Sequence, residues 1–411
     1  MRKFDIPLYY KSPIIAKIKG VRKDSDPKKK DFSPTLLDFG SVRIFMARHF
    51  GFCYGVENAI EIAYKTVEEN PGKRIFLLSE MIHNPRVNSD LINRGIKFMM
   101  DTLGNQLIPW DELSSEDILI IPAFGTTLEI QEKLNEIGID PYKYNTTCPF
   151  VERVWNRASK LGKENHSVII HGKYYHEETR ATYSHSSFSG PSLIIRDFEE
   201  AKFLSSVILG KINRDEFYSF FKDKYSKGFD PDKDLNKIGV VNQTTMLATE
   251  TQMIAEHLKE TMTRKFGIEH LKEHFADTRD TLCYATNDNQ DAANELLKID
   301  ADFALVVGGY NSSNSGHIAE LLSKKFKTFY VSGAEKISKE KILHFDIHSK
   351  KERSSLNYIP NKDPVEIVLT SGASCPDAIV EEVLLKILSF FKDKKSINEV
   401  MLEITNFSIQ N

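Results

Sequence analysis

Short β-branched apolar runs, each followed by an amphipathic helical stretch, recur along this chain and constrain its fold more than any other feature. The runs fall at 42–46, 75–78, 118–121, 168–170, 238–241, 303–307, 328–331 and 367–369. Helical patterns cover 56–67, 128–137, 151–161, 249–265, 291–298 and 378–391. Parallel strands need crossover connections, and a helix is the usual crossover. The alternation therefore predicts an α/β protein whose parallel sheets are covered by helices. At 411 residues, two or three compact units are expected.

Three polar stretches interrupt this pattern, at 102–116, 211–237 and 344–361, and read as surface insertions on the rim. The middle one carries Phe and Tyr residues able to dock a short helix. The first 40 residues are lysine-rich but also carry aspartates, and they lack the apolar core of a secretory signal and the acid-poor character of a transit peptide. They read as a soluble extension, and the protein as cytoplasmic. No run approaches the roughly 18–20 apolar residues of a membrane helix, so no membrane partner is expected. A formal net charge of −3 offers no basic face for nucleic acid.

The reactive side chains are not scattered; they sit where strands end. The runs at 75–78, 168–170 and 238–241 lead to His83 and Asn84, to His171 through Glu178, and to Asn242 through Thr245. The runs at 303–307 and 367–369 open into loops rich in Gly, Ser and Asn, holding Ser312, Ser313, Asn314 and Ser374. In α/β proteins ligands bind beyond the carboxyl ends of strands. Exposed backbone N–H groups, hydroxyls and a following helix make an anion cradle. Without a GxxxxGK[ST] motif a nucleoside triphosphate is disfavoured, and a small diphosphate fits better. Each loop taken alone reads equally well as ordinary caps and turns.

Four cysteines, Cys53, Cys148, Cys283 and Cys375, form no CxxC pair and no disulfide framework. Three of them share a context: Cys53, Cys148 and Cys283 each stand just before a helical stretch, Cys148 being followed by Pro149. A thiolate at a helix N-terminus is stabilised by the dipole and can ligate metal. A buried structural thiol is the blander alternative for any one of them.

The chain resembles the 4-hydroxy-3-methylbut-2-enyl diphosphate reductase (IspH/LytB) family over roughly residues 41–390. The resemblance rests on Gly-Phe-Cys53-x-Gly-Val, Ile-His83-Asn, Thr-Cys148-Pro, His176-x-Glu178, Gln-Thr244-Thr, Cys283-Tyr-Ala-Thr, Asn-Ser312-Ser313-Asn314-Ser and Ser-Gly-Ala-Ser374. Each motif alone is weak, whereas all eight in order are specific. The resemblance implies three αβ units with parallel sheets in a pseudo-threefold trefoil around a central iron–sulfur site. The units then map to 41–147, whose first strand and Cys53 belong at the centre, to 148–280 with an insertion near 205–237, and to 281–391 with an insertion near 344–361. An N-terminal extension (1–40) and a C-terminal tail (392–411) complete the chain.

By the same resemblance, Cys53, Cys148 and Cys283 would each hold one iron of a [4Fe–4S] cluster, leaving the fourth iron open as a Lewis acid. His83, His176, Ser312, Asn314 and Ser374 would hold the diphosphate, with Ser313 nearby. Glu178 would deliver the proton that lets the hydroxyl leave as water, and Thr244 would orient that hydroxyl and relay the proton. Two electrons from a donor such as ferredoxin or flavodoxin would give an allyl-anion-like species. Its protonation at either end yields isopentenyl or dimethylallyl diphosphate, the last step of non-mevalonate isoprenoid synthesis.

Two departures and two alternatives accompany this reading. Phe124 stands where the family often has a histidine, as in its longer plant and cyanobacterial branch, which removes one diphosphate donor. Cys375 follows Ser374 and as a fourth ligand would close the cluster, but the family does not use this position, so a packed apolar role is expected. His49, His171 and His185 lie near the motifs and are not expected to be ligands. An iron–sulfur hydro-lyase would need no reductant, and a zinc-bound phosphate sensor would be colourless.

Overall fold

The computed structural model describes residues 4–276, 278 and 281–410. Residue 280, the expected boundary between the second and third units, lies outside the described residues. Two compact units emerge: residues 1–57, 83–87 and 284–411 form the first, and residues 58–82 and 88–283 form the second. Among the described residues no helix is long and apolar enough to cross a membrane.

The first unit is built on a five-stranded sheet in the spatial order Thr35–Asp38, Val42–Met46, Val365–Ser371, Phe303–Val307, Thr328–Val331. All neighbours are parallel except the first pair. Every residue of Phe303–Val307 is buried, as a parallel strand covered on both faces requires. The register sets Leu305 beside Leu369 and Leu369 beside Met46, giving a continuous apolar band. Sequence order groups the strand Val42–Met46 with residues 41–147; hydrogen bonding puts it in this sheet, beside Val365–Ser371.

The first 40 residues are part of the same unit. The helix Pro13–Ser25 starts on Ser12, whose hydroxyl accepts the Ile15 N–H at 2.8 Å, with Pro13 at its first position. Ile15 and Ile18 are buried, and Lys19 pairs with Asp377 at 2.7 Å. The strand Thr35–Asp38 then adds an antiparallel edge to the sheet. The tail contains the helix Ile397–Gln410, which packs on Pro13–Ser25.

The second unit carries two further parallel sheets. One runs Lys97–Phe98, Ile75–Leu77, Ile118–Ile120. The other runs Ser192–Ile195, Ser167–His171, Ile238–Asn242, Phe275–Ala276. Residues 205–237 do more than decorate a rim: Phe217, Phe221 and Phe229 pack with Leu193, Ile195 and Ile238 in the buried core of this sheet. Residues 102–116 are irregular, with one 3-10 turn at Trp110–Glu112. In the first unit, residues 344–361 take part in an antiparallel hairpin of Lys341–Asp346 and Lys351–Leu356.

Candidate active site

In the second unit the strand Ser167–His171 feeds a loop that ends on His176, the N-cap of the helix Glu177–Ser189. The His176 ring accepts the Glu178 N–H on Nδ1 at 3.2 Å. A neutral ring so engaged carries its proton on Nε2, which is then a donor suited to an anion. Phe124 meets the His176 ring edge to face, with centroids 5.5 Å apart. Phe124 thus packs against the ring of an expected diphosphate ligand.

Glu178 is 1% exposed and stands in the first turn of its helix, where the dipole favours negative charge. Its Oε1 accepts the Thr244 N–H at 2.5 Å and its Oε2 accepts the Thr244 hydroxyl at 3.0 Å. Thr244 reaches this position because the strand Ile238–Asn242 ends two residues earlier. The Thr244 carbonyl in turn accepts the Cys283 N–H at 3.3 Å. One threonine therefore joins Glu178, the expected acid, to Cys283, an expected iron ligand.

Cys148 is the N-cap of the helix Pro149–Lys163 and is half-buried. Its N–H is held by the Ala123 carbonyl at 2.9 Å. Burial pushes its thiol up to about 12; the Phe150 N–H opposes this in part, while nearby Cys283 and Glu178 add to it. Sequence reasoning expects the helix dipole to favour a thiolate here. Burial acts against the free thiolate here, and a bound cation would favour it.

The first unit brings together the two Gly-, Ser- and Asn-rich loops expected to bind an anion. Ser312 is the N-cap of the helix Ser313–Leu322, its hydroxyl accepting from the Ser315 N–H at 3.2 Å and the Ser374 hydroxyl at 3.2 Å. The Ser374 hydroxyl also lies 3.4 Å from the His83 carbonyl. Ser313 occupies the first helical position, where backbone N–H groups lack intrahelical partners. Two close approaches require glycine: a Cβ on Gly309 would collide with the His83 carbonyl, and one on Gly372 with the Ser315 side chain.

Asn314 is the sharpest feature of this cluster. It is 4% exposed, and its Oδ1 accepts the Ala373 N–H at 2.9 Å and the Asn289 amide at 3.2 Å. These donors fix the amide orientation. Its Nδ2 is buried with no hydrogen-bond partner among the described residues. A buried donor left unpaired costs about 1–3 kcal/mol, which a bound acceptor would recover. Ala373 also holds the segment bearing Cys53, whose N–H donates to the Ala373 carbonyl at 3.3 Å. The Cys53 carbonyl accepts from Glu57, opening the helix Tyr54–Glu69.

The remaining candidates separate from these groups. Cys375 is fully buried, its thiol 3.7 Å from the Pro376 carbonyl. His171 is buried against Thr251 at 3.0 Å, and His185 stacks on Trp155 with centroids 3.9 Å apart. His49 lies 4.0 Å from Asp288. Among the described residues no group of three or more His, Cys, Asp or Glu is disposed to hold a metal ion. In a [4Fe–4S] cluster each thiolate binds its own iron, so its ligands need not converge on a point. Cys53 in the first unit, and Cys148 and Cys283 in the second, are each half-buried just ahead of a helix, thiols of a kind suited to ligating iron.

A sequence model of the LytB protein family matches residues 44–388. The chain belongs to this family. Two curated relatives of this LytB chain carry the name 4-hydroxy-3-methylbut-2-enyl diphosphate reductase. One, from Prochlorococcus marinus (strain AS9601), is 42% identical over 352 residues, covering 85% of this chain and 86% of the relative. The other, from Synechococcus sp. (strain WH7803), is 39% identical over 358 residues, covering 87% and 88%. The solved E-1-hydroxy-2-methyl-but-2-enyl-4-diphosphate reductase from Plasmodium falciparum shares the fold. It is 21% identical, with a TM-score of 0.61, over 85% of this chain and 88% of the other.

Sequence reasoning placed Asn242 and Gln243 in a strand-end loop but gave them no role; they lock the LytB strand ends in place. Gln243 is fully buried; its Oε1 accepts from Lys173 N at 3.2 Å and from the Thr179 hydroxyl at 3.1 Å. It thus ties the Thr244 loop to the segment bearing His176 and Glu178. Asn242 accepts the Thr281 N–H at 3.0 Å and the Thr281 hydroxyl at 2.6 Å, which sets the approach to Cys283. The available signal was a polar pair, Asn242-Gln243, at the end of a run too apolar to expose it.

Proposed function

We infer that this chain catalyses the reductive dehydroxylation of (E)-4-hydroxy-3-methylbut-2-enyl diphosphate to isopentenyl and dimethylallyl diphosphate, the terminal step of the non-mevalonate pathway. The observation that carries the site reading is the buried Asn314 Nδ2, without a partner among the described residues, in the first turn of the helix Ser313–Leu322, whose cap Ser312 meets the Ser374 hydroxyl. Neutral donors converging with a helix dipole suit a diphosphate oxygen. His83 and His176, with Ser313, complete the proposed set.

Replacing C–OH by C–H consumes two electrons and two protons and releases water. Glu178 is proposed as the acid for the leaving hydroxyl. A proton on Oε2 reverses its bond to Thr244, so that Glu178 donates to the threonine Oγ1 and the threonine hydroxyl donates onward. Thr244 is therefore both orienter and relay. Burial of the Glu178 and Thr244 side chains keeps bulk water from supplying that proton indiscriminately.

Cys53, Cys148 and Cys283 are proposed to hold a [4Fe–4S] cluster. When bound, it would supply Lewis-acid polarisation of the C–O bond and pass in the two electrons. A reduced ferredoxin or flavodoxin is the proposed donor. The test is anaerobic purification followed by assay. A brown protein with about four irons per chain, forming both products only with reductant, supports this reading. Conversion without reductant, or a colourless zinc-loaded chain, would sink it.

A further inference from the structure

The hairpin of Lys341–Asp346 and Lys351–Leu356 is mostly solvent-exposed, and the proposed chemistry gives it no role. One of its rungs reaches Tyr310. Phe345 and Glu352 are direct cross-strand partners, so their side chains share a face. Both meet Tyr310. The Tyr310 ring stacks on Phe345 with centroids 4.6 Å apart and an interplanar angle of 14°. Its hydroxyl donates to Glu352 Oε1 at 2.9 Å, and Lys336 holds the same carboxylate at 2.6 Å. Tyr330 completes the grip: its ring meets Tyr310 edge on at 5.4 Å, and its hydroxyl donates to the Gly309 carbonyl.

Tyr310 stands two residues before Ser312, the cap whose hydroxyl meets Ser315 and Ser374. We propose that Tyr310 is a positioning residue for the anion loop, through which the hairpin sets affinity for the diphosphate. The inference rests on the reading of Ser312, Asn314 and Ser374 as diphosphate contacts. A loop held by a stacked ring and a charge-assisted hydrogen bond presents its donors in one geometry, and donors shifted by a fraction of an ångström lose affinity steeply.

The test uses the cluster-loaded full chain and reads KM, kcat and inhibition by inorganic pyrophosphate. Tyr310→Phe and Glu352→Ala should each raise KM and weaken pyrophosphate about fivefold, with kcat held within about twofold. The double variant should be no worse than Glu352→Ala alone, because Tyr310→Phe removes only a bond that Glu352→Ala has already removed. Phe345→Ala should act in the same direction, and Phe345→Tyr, which keeps the ring, should restore affinity. A purely scaffolding hairpin would lower the melting temperature without moving KM. That result, or additive effects in the double variant, overturns the proposal. Ser312→Ala is the control: if it leaves pyrophosphate inhibition unchanged, the diphosphate reading fails and this inference falls with it. Weakening by Ser312→Ala but not by Tyr310→Phe or Phe345→Ala defeats only the positioning role.

Discussion

Thr244 takes both oxygens of Glu178, with its backbone N–H on Oε1 at 2.5 Å and its hydroxyl on Oε2 at 3.0 Å. Only the second contact can move a proton. The first fixes the carboxyl plane, so that the exchangeable proton is confined to the hydroxyl side. A carboxylate that is 1% exposed and fully engaged is poorly suited to a solvated surface role and well suited to directed proton delivery.

Glu178→Gln keeps the shape but carries no acidic proton, so kcat should fall by about 10²-fold or more while iron content and substrate binding stay unchanged. Thr244→Ser retains the hydroxyl and should keep most of the rate, whereas Thr244→Ala should lose it. Steady-state kinetics on iron-matched samples give the answer. A Glu178→Gln enzyme within a fewfold of wild type would remove Glu178 as the acid.

Asn314 predicts an affinity effect. Its Oδ1 is occupied by Ala373 and Asn289, which leaves Nδ2 to meet the ligand. Asn314→Ala should weaken pyrophosphate binding about tenfold, the scale of a hydrogen bond to a charged group. Asn314→Asp keeps the acceptor for Ala373 but turns the donor into an anion, so it should weaken binding further. Calorimetry with pyrophosphate and the cluster-loaded protein measures both. Equal affinity in all three proteins places the anion elsewhere.

Much of this was legible in the sequence, for identifiable reasons. Strand–helix alternation marked the parallel sheets because a buried parallel strand such as Phe303–Val307 must be apolar throughout. Polar residues at strand ends marked Glu178, Thr244 and Ser312, since the chain has no packing reason to put them there. Strand pairing was less legible: Val42–Met46 joins Val365–Ser371 across more than 300 residues, and periodicity carries no partner information. The engagement of Tyr310 by Phe345 and Glu352 was hidden for the same reason, because a cross-strand rung is a product of register. A helix N-terminus ahead of Cys148 is visible in sequence, but the burial that pushes its thiol up is a property of the fold.

The thiols should divide by role. Serine at Cys53, Cys148 or Cys283 should abolish iron incorporation, visible absorbance and turnover together. Cys375→Ala should keep all three and cost only about 1 kcal/mol of stability from the small cavity left in a fully buried site. Iron and sulfide analysis beside a thermal melt checks this. Loss of iron in the Cys375 variant, with retention in any of the others, would reverse the ligand assignment.

His171 predicts how the protein fails in acid. Burial at the end of the strand Ser167–His171 holds its pKa down to about 4, against about 6.5 for an unfolded histidine. Between those values the unfolded chain binds a proton that the folded chain refuses. Stability is then unaffected above pH 6.5 and falls as pH drops toward 4, by up to about 1.4 kcal/mol per pH unit for this one group. His49, also held down to about 4 by burial, works in the same direction. Denaturant midpoints measured from pH 7.5 to 4.5 should therefore slope downward below about pH 6.5. His171→Gln, whatever its effect at neutral pH, should make that slope shallower by roughly one proton. An unchanged slope would mean that His171 does not titrate on unfolding, and that the acid sensitivity of the segment leading to His176 and Glu178 has another source.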